Sequence, residues 1–140
     1  MSSNALASDE KLFAALAHGS VVFSFFGPIG PIIVWLLQRD KSKYASFSAL
    51  QAMGFQVISF WLWMLLIFLF PIALVLLILL MVFVSEGAEN FGMFPFALQI
   101  VMFIAIFGVW GIYMLIGFIG AGFSIAGKEF RYPLLGAWLA

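Results

Sequence analysis

Cysteine is absent from the 140 residues, so disulfides, thiolate nucleophiles and sulfur-ligated zinc or iron–sulfur sites are excluded from the start. Charge is scarce: Asp, Glu, Lys and Arg make up 9% of the chain, against about 25% in a typical globular domain in water. The six basic and six acidic residues cancel, and the basic ones stand in ones and threes. That scatter is not the patch or stripe that tracks a phosphate backbone, and it argues against nucleic acid as a partner. Histidine occurs once, as His18. Without convergent nucleophiles, bases or metal ligands there is no basis for hydrolysis, group transfer or metal catalysis, and the chain reads as a non-enzyme.

What fills the sequence instead is apolar: 66% of residues are hydrophobic, with 18 phenylalanines. A small water-soluble domain buries only about two-thirds of its unfolded surface. The excess Phe, Leu, Ile and Val must therefore be covered by lipid, which makes the bilayer the first partner. Charge clusters at residues 9–11, 39–43, 86–89 and 128–131 divide the chain into apolar stretches. A helix needs about 20 residues to cross about 30 Å of hydrocarbon. Three stretches meet that length, and the expectation is an all-α integral membrane protein, a single transmembrane domain forming a three-span bundle.

In that reading residues 1–11 are a retained polar tail without the basic region of a signal peptide. Residues 12–37 form span 1, 38–43 a basic loop, 44–84 an amphipathic start followed by span 2, 85–95 a loop, 96–126 span 3, and 127–140 an interfacial tail. Gly27, Pro28, Gly30 and Pro31 break the first helix, either as a kink within a bundle or as a re-entrant segment lining a cavity. Pro71 is expected to kink the long second helix, whose halves are each too short to span alone. Basic residues favour the cytoplasmic side. With three spans the Arg39–Lys43 loop and the Lys128–Arg131 tail share one side, leaving Lys11 on the other. The expectation is a multi-pass protein of the cell (inner) membrane with its N-terminus outside and its C-terminus cytoplasmic. Trp35, Tyr44 and Tyr132 are expected to anchor at the cytoplasmic interface, with Trp138 in or near it.

Three sets of residues are candidates for a role. Gly117, Gly120, Ala121, Ser124 and Gly127 recur every three or four positions and make a smooth strip on the third helix. Such a strip admits close helix packing, either within the chain or against another subunit or a second copy. Gln51 and Gln56 act as interhelical glue or, with the Gly27–Pro31 break, line a polar vestibule. His18 is either a neutral histidine bonded to a neighbour or an axial ligand to a chlorophyll-type pigment or haem. Otherwise no cofactor or metal is expected. Glu86 and Glu89 are solvated loop acids, and no ionisable Asp, Glu, Lys or Arg marks an ion pathway within a span.

Four local patterns stand together: Ala17-His18-Gly19-Ser20, Gly30 to Leu37 running into Arg39-Asp40-Lys41-Ser42, Phe47 to Gln56, and Gly127 to Leu134 with its Arg-Tyr-Pro-Leu ending. On these residues the chain, from about Asp9 to Leu134, resembles the small bacterial membrane proteins grouped as domain of unknown function 4870. Those are distantly similar to the chloroplast inner-envelope import component. Relatives often carry His where this chain has Ser48 and Asn where it has Gly54. The resemblance implies the fold and topology above and says little about activity. Three functions are carried forward: an accessory or assembly subunit packing against other membrane proteins, a translocon-like or small channel-forming component, and a pigment- or haem-associated subunit.

Overall fold

The computed structural model describes residues 6–84 and 93–132, in which every regular element is helical. Helix α1 spans Ser8–Gly19 and leads into a 3₁₀ segment, Ser20–Phe26. Helix α2 is Ile29–Gln38, α3 is Lys43–Val84 and α4 is Phe94–Ile125. The expected loop acids Glu86 and Glu89, and Trp138, lie outside the described residues.

The Gly/Pro break does something other than kink a single span. Pro28 is the N-cap of α2 and Pro31 stands in its first turn, where backbone N–H groups have no intrahelical acceptor. Neither proline removes a helical hydrogen bond there, so the pair starts a new helix. Gly27, at φ +80°, supplies the left-handed turn that precedes them. Gly30 then lies against the Ser20 side chain, while Phe13 and Trp35 both pack on a cluster of Ala17, Val34, Ala49 and Ala52. The chain thus doubles back, and α1 and α2 form a hairpin of helices only about 18 and 15 Å long at about 1.5 Å per residue. Residues 12–37 are not one continuous helix. Among the described residues two helices, α3 and α4, are long and apolar enough to span a bilayer, and α2 is a shorter apolar helix, so two of the three expected spans are present as helices of full length.

The chain forms two compact units, Met1–Phe60 with Tyr113–Ala140, and Trp61–Ile112. In the second, residues 61–84 of α3 extend about 36 Å and residues 94–112 of α4 about 28 Å, each comparable to a hydrocarbon core of about 30 Å. Many of their large side chains are exposed: Phe68 is 64% and Phe83 86% exposed. Helix α3 continues through Pro71 as one element.

The first unit is built inside out relative to a protein dissolved in water. Its fully enclosed side chains are small or polar, among them Ala14, Ala17, Ala45, Ala49, Ala52, His18, Gln51 and Ser124, whereas Leu12, Phe23, Phe26, Leu36 and Leu37 point outward. Lipid tails solvate those outward groups as well as a core would, so nothing drives them in, and close packing of small residues with polar contacts holds the helices together.

All the described charges gather at one end of this unit. Lys11 lies against Gly127, Glu10 bonds Ser42 in the α2–α3 turn, and the Tyr44 hydroxyl lies 2.9 Å from the Lys128 carbonyl. The expected separation of Lys11 from the other basic residues does not occur, because the α1–α2 hairpin brings both of its ends to the same place. The Arg39–Asp40 and Arg131–Glu129 pairs here, at 3.2 and 3.1 Å, are exposed and contribute little.

Each helix end at this site has its own cap. The Ser42 hydroxyl accepts the Ala45 amide at the start of α3. Helix α4 closes in a Schellman motif, with Lys128 N–H donating to the Phe123 carbonyl and Gly127 N–H to Ser124 while Gly127 takes φ +72°. At the start of α1 the Ser42 hydroxyl, and after it the Ala7 amide, hydrogen-bonds the Glu10 carboxylate and holds its pKa below the ordinary 4.5. The folded state therefore holds this proton more weakly than the unfolded chain. The stabilisation is complete above the unfolded pKa and is lost as pH falls through the folded one. Acidification from about pH 5 to about pH 3 should lower the melting temperature of the wild type more than that of Glu10→Gln. Equal slopes in detergent melts would remove this cap from the account.

Candidate functional site

Tyr132, the aromatic residue of the Arg-Tyr-Pro-Leu ending, is buried within the first unit, with only 3% of its surface exposed. Its hydroxyl lies 2.9 Å from His18 Nδ1, and its backbone N–H donates to Gln51 Oε1 at 3.1 Å. Phe55 stacks on its ring at 4.2 Å, and Phe130 meets it edge-on at 5.0 Å. Residues 128–132 therefore close over the helices and tie α1 to α3.

The histidine is wholly enclosed. Phe130 meets its ring edge-on at 5.8 Å, and Gly120 leaves room for it: a Cβ there would stand 3.0 Å from His18 Cγ and Nδ1. Gly117 does the same for Val21, whose methyl carbon would lie 2.6 Å from an added Cβ. The strip on α4 thus faces α1 and the 3₁₀ segment of its own chain at Gly117 and Gly120. Ser124 is buried beside it, Ala121 lies near Gly19, and Gly127 forms the helix cap beside Lys11. Other glycines of α4, Gly108, Gly111 and Gly122, have open space where a Cβ would go.

Gln56 Nε2 donates to the Ser20 hydroxyl at 3.2 Å, and that hydroxyl donates to the Ala17 carbonyl at 2.8 Å. Both glutamines are thus used in bonds between elements, Gln51 at the C-terminal segment and Gln56 near the Gly27–Pro31 turn. His18 Nε2, Gln51 Nε2, Gln56 Oε1 and Ser124 Oγ are buried without a hydrogen-bond partner among the described residues.

The arrangement clamps helices through polar contacts. Among the described residues no carboxylate or thiol reaches His18, and no group of three His, Cys, Asp or Glu could hold a metal. Sequence reasoning placed His18 and Gln51 among the buried polar groups but missed Tyr132, Phe55 and Phe130. The available signal was the aromatic alternation Phe130-Arg131-Tyr132, in which one charge separates two large rings.

No curated protein and no solved structure matches the chain. A family model described as magnetosome magnetite crystal formation matches residues 9–139. This overturns the resemblance to the domain of unknown function 4870 and the chloroplast import component, and with it the translocon-like and pigment-associated readings. The motifs that suggested them are short and local, while the family match covers the chain almost end to end. With two helices long and apolar enough to cross a bilayer the chain is an integral membrane protein, and it belongs to the magnetosome magnetite crystal formation protein family (MamF_MmsF).

Proposed function

We propose that this protein is an accessory subunit of a magnetosome membrane and assists magnetite crystal formation by assembling with other membrane proteins, without chemistry of its own. The observation that carries this reading is the family match over residues 9–139. The bare second unit and the open faces at Gly108 and Gly111 support the assembly part, because small residues on a lipid-exposed helix let a partner helix approach closely. Deleting the gene in the organism that carries it should yield fewer or smaller crystals in electron micrographs, and the wild-type gene should restore them. Crystals unchanged by deletion would refute the role. A purified protein that stays a lone monomer after gentle crosslinking in native membranes would refute the assembly mechanism.

The α1–α2 hairpin enters the membrane and returns in this reading, with α3 and α4 as the two crossings. Both ends of the chain and the Arg39–Lys43 turn then share the cytoplasmic side, as the positive-inside rule favours. The chain's lack of cysteine permits a direct test with single replacements at Ser8, Lys41 and Glu129. On isolated, sealed magnetosomes, whose cytoplasmic face is outward, all three should react with a membrane-impermeant maleimide before any permeabilisation. Protection of Ser8→Cys alone until detergent is added would restore three crossings.

A further inference from the structure

On the outer surface of the first unit, the last turns of α4 hold an open groove of about 390 Å³ lined by Ile119, Gly122, Phe123, Ala126 and Lys128. Its lining is almost entirely apolar, and it is open because Gly122 presents no side chain: nothing stands within 4 Å of the place a Cβ would occupy. One end of the groove is formed by a cation, and a second reaches the neighbouring residue. Lys128 is exposed at its rim. The Lys11 ammonium arrives from α1 at the neighbouring Gly127, where it would stand 3.3 Å from an added Cβ. Neither lysine has an acidic partner within ion-pair distance among the described residues. The nearby acids are engaged elsewhere, Glu129 with Arg131 at 3.1 Å and Glu10 with the Ala7 amide and Ser42.

We propose that Lys11, Lys128 and the Gly122 groove form a binding site for one anionic phospholipid, with its phosphate between the two ammonium groups and an acyl chain along Ile119, Gly122 and Phe123. The occupant follows from the setting. The surrounding side chains face hydrocarbon, so an apolar slot there is filled by an acyl chain, and the cations at its end select for headgroup charge. A zwitterionic lipid brings its own cation to the lysines and gains less. This site is independent of the magnetosome role and stands or falls without it.

Native mass spectrometry of the full chain released from nanodiscs of equal phosphatidylglycerol and phosphatidylcholine tests the site. The wild type should retain one phosphatidylglycerol in preference to phosphatidylcholine by roughly thirtyfold, which at about 1.4 kcal/mol per decade is about 2 kcal/mol, the contribution of two basic side chains near an anionic surface. Lys11→Gln with Lys128→Gln should abolish the preference. Gly122→Leu, whose Cβ meets no atom within 4 Å and whose branch would occupy the groove, should abolish retention with both lysines intact. Gly108→Leu, whose Cβ likewise meets no atom within 4 Å and which is not part of the groove lining, should leave retention as in the wild type. Equal retention of the two lipids, persistence of the preference in either site variant, or an equal loss in Gly108→Leu would each overturn the proposal.

Discussion

Gly117→Ala lowers the melting temperature of the detergent-solubilised protein, while Gly111→Ala, on the same helix, leaves it unchanged or raises it. Replacing glycine by alanine inside a helix normally gains about 0.5–1 kcal/mol, because the backbone has less freedom to lose. At Gly111 nothing opposes that gain, since the new methyl would meet no atom within 4 Å. At Gly117 the methyl would lie 2.6 Å from Val21 Cγ1 and 2.7 Å from its Cβ, far inside the 3.5–4.0 Å or so at which carbon atoms attract. Val21 is fully buried and β-branched, so its stiff χ1 cannot swing clear. Overpacking of this kind costs about 1–3 kcal/mol, more than the helix gain returns. Val21→Ala removes the opposing methyls and should restore part of the stability lost in Gly117→Ala, though it costs stability by itself. Such coupling marks a direct contact. If the two glycine replacements shift the melt alike, or Val21→Ala fails to rescue, α4 does not pack on the 3₁₀ segment through Gly117.

That contact shows where sequence reasoning succeeds and where it stops. The spacing of Gly117, Gly120 and Ser124 identifies a smooth strip, since side chains three and four apart share a helix face. It does not say which helix covers the strip, because Val21 and His18 carry no mark that pairs them with it. Composition alone made lipid the solvent, and the long apolar runs became α3 and α4. The Gly27–Pro31 break was visible too, but proline disrupts a helix interior and is welcome in a first turn, and a string of residues does not reveal which of the two it occupies. Of the two readings kept open for it, kink or re-entrant segment, the kink makes residues 12–37 one span and separates Lys11 from Gly127, beside which it lies. The family was misjudged for a related reason. Patterns such as Gly30 to Leu37 are short, whereas membership is carried by the match along residues 9–139.

Tyr132→Phe loosens the C-terminal segment and should make the bonds after Lys128 and Arg131 more sensitive to trypsin. The substitution keeps the ring that stacks on Phe55 at 4.2 Å, so packing is conserved, but it removes the hydroxyl 2.9 Å from His18 Nδ1. That nitrogen is sealed from water and would be left without a partner, at a cost of about 1–3 kcal/mol. Gln51→Leu acts on the same segment from the other side, orphaning the Tyr132 N–H that Gln51 Oε1 accepts at 3.1 Å. An orphaned polar group costs more than a hydrogen bond removed whole. His18→Leu should therefore cost less in the Tyr132→Phe background than alone, because the second change removes the group that the first left unpaired. A coupling of about 0.5–3 kcal/mol is expected for residues in such direct contact. Strict additivity of the two changes, or a digestion rate untouched by either Tyr132→Phe or Gln51→Leu, would show that residues 128–132 rest on the helices without fastening them.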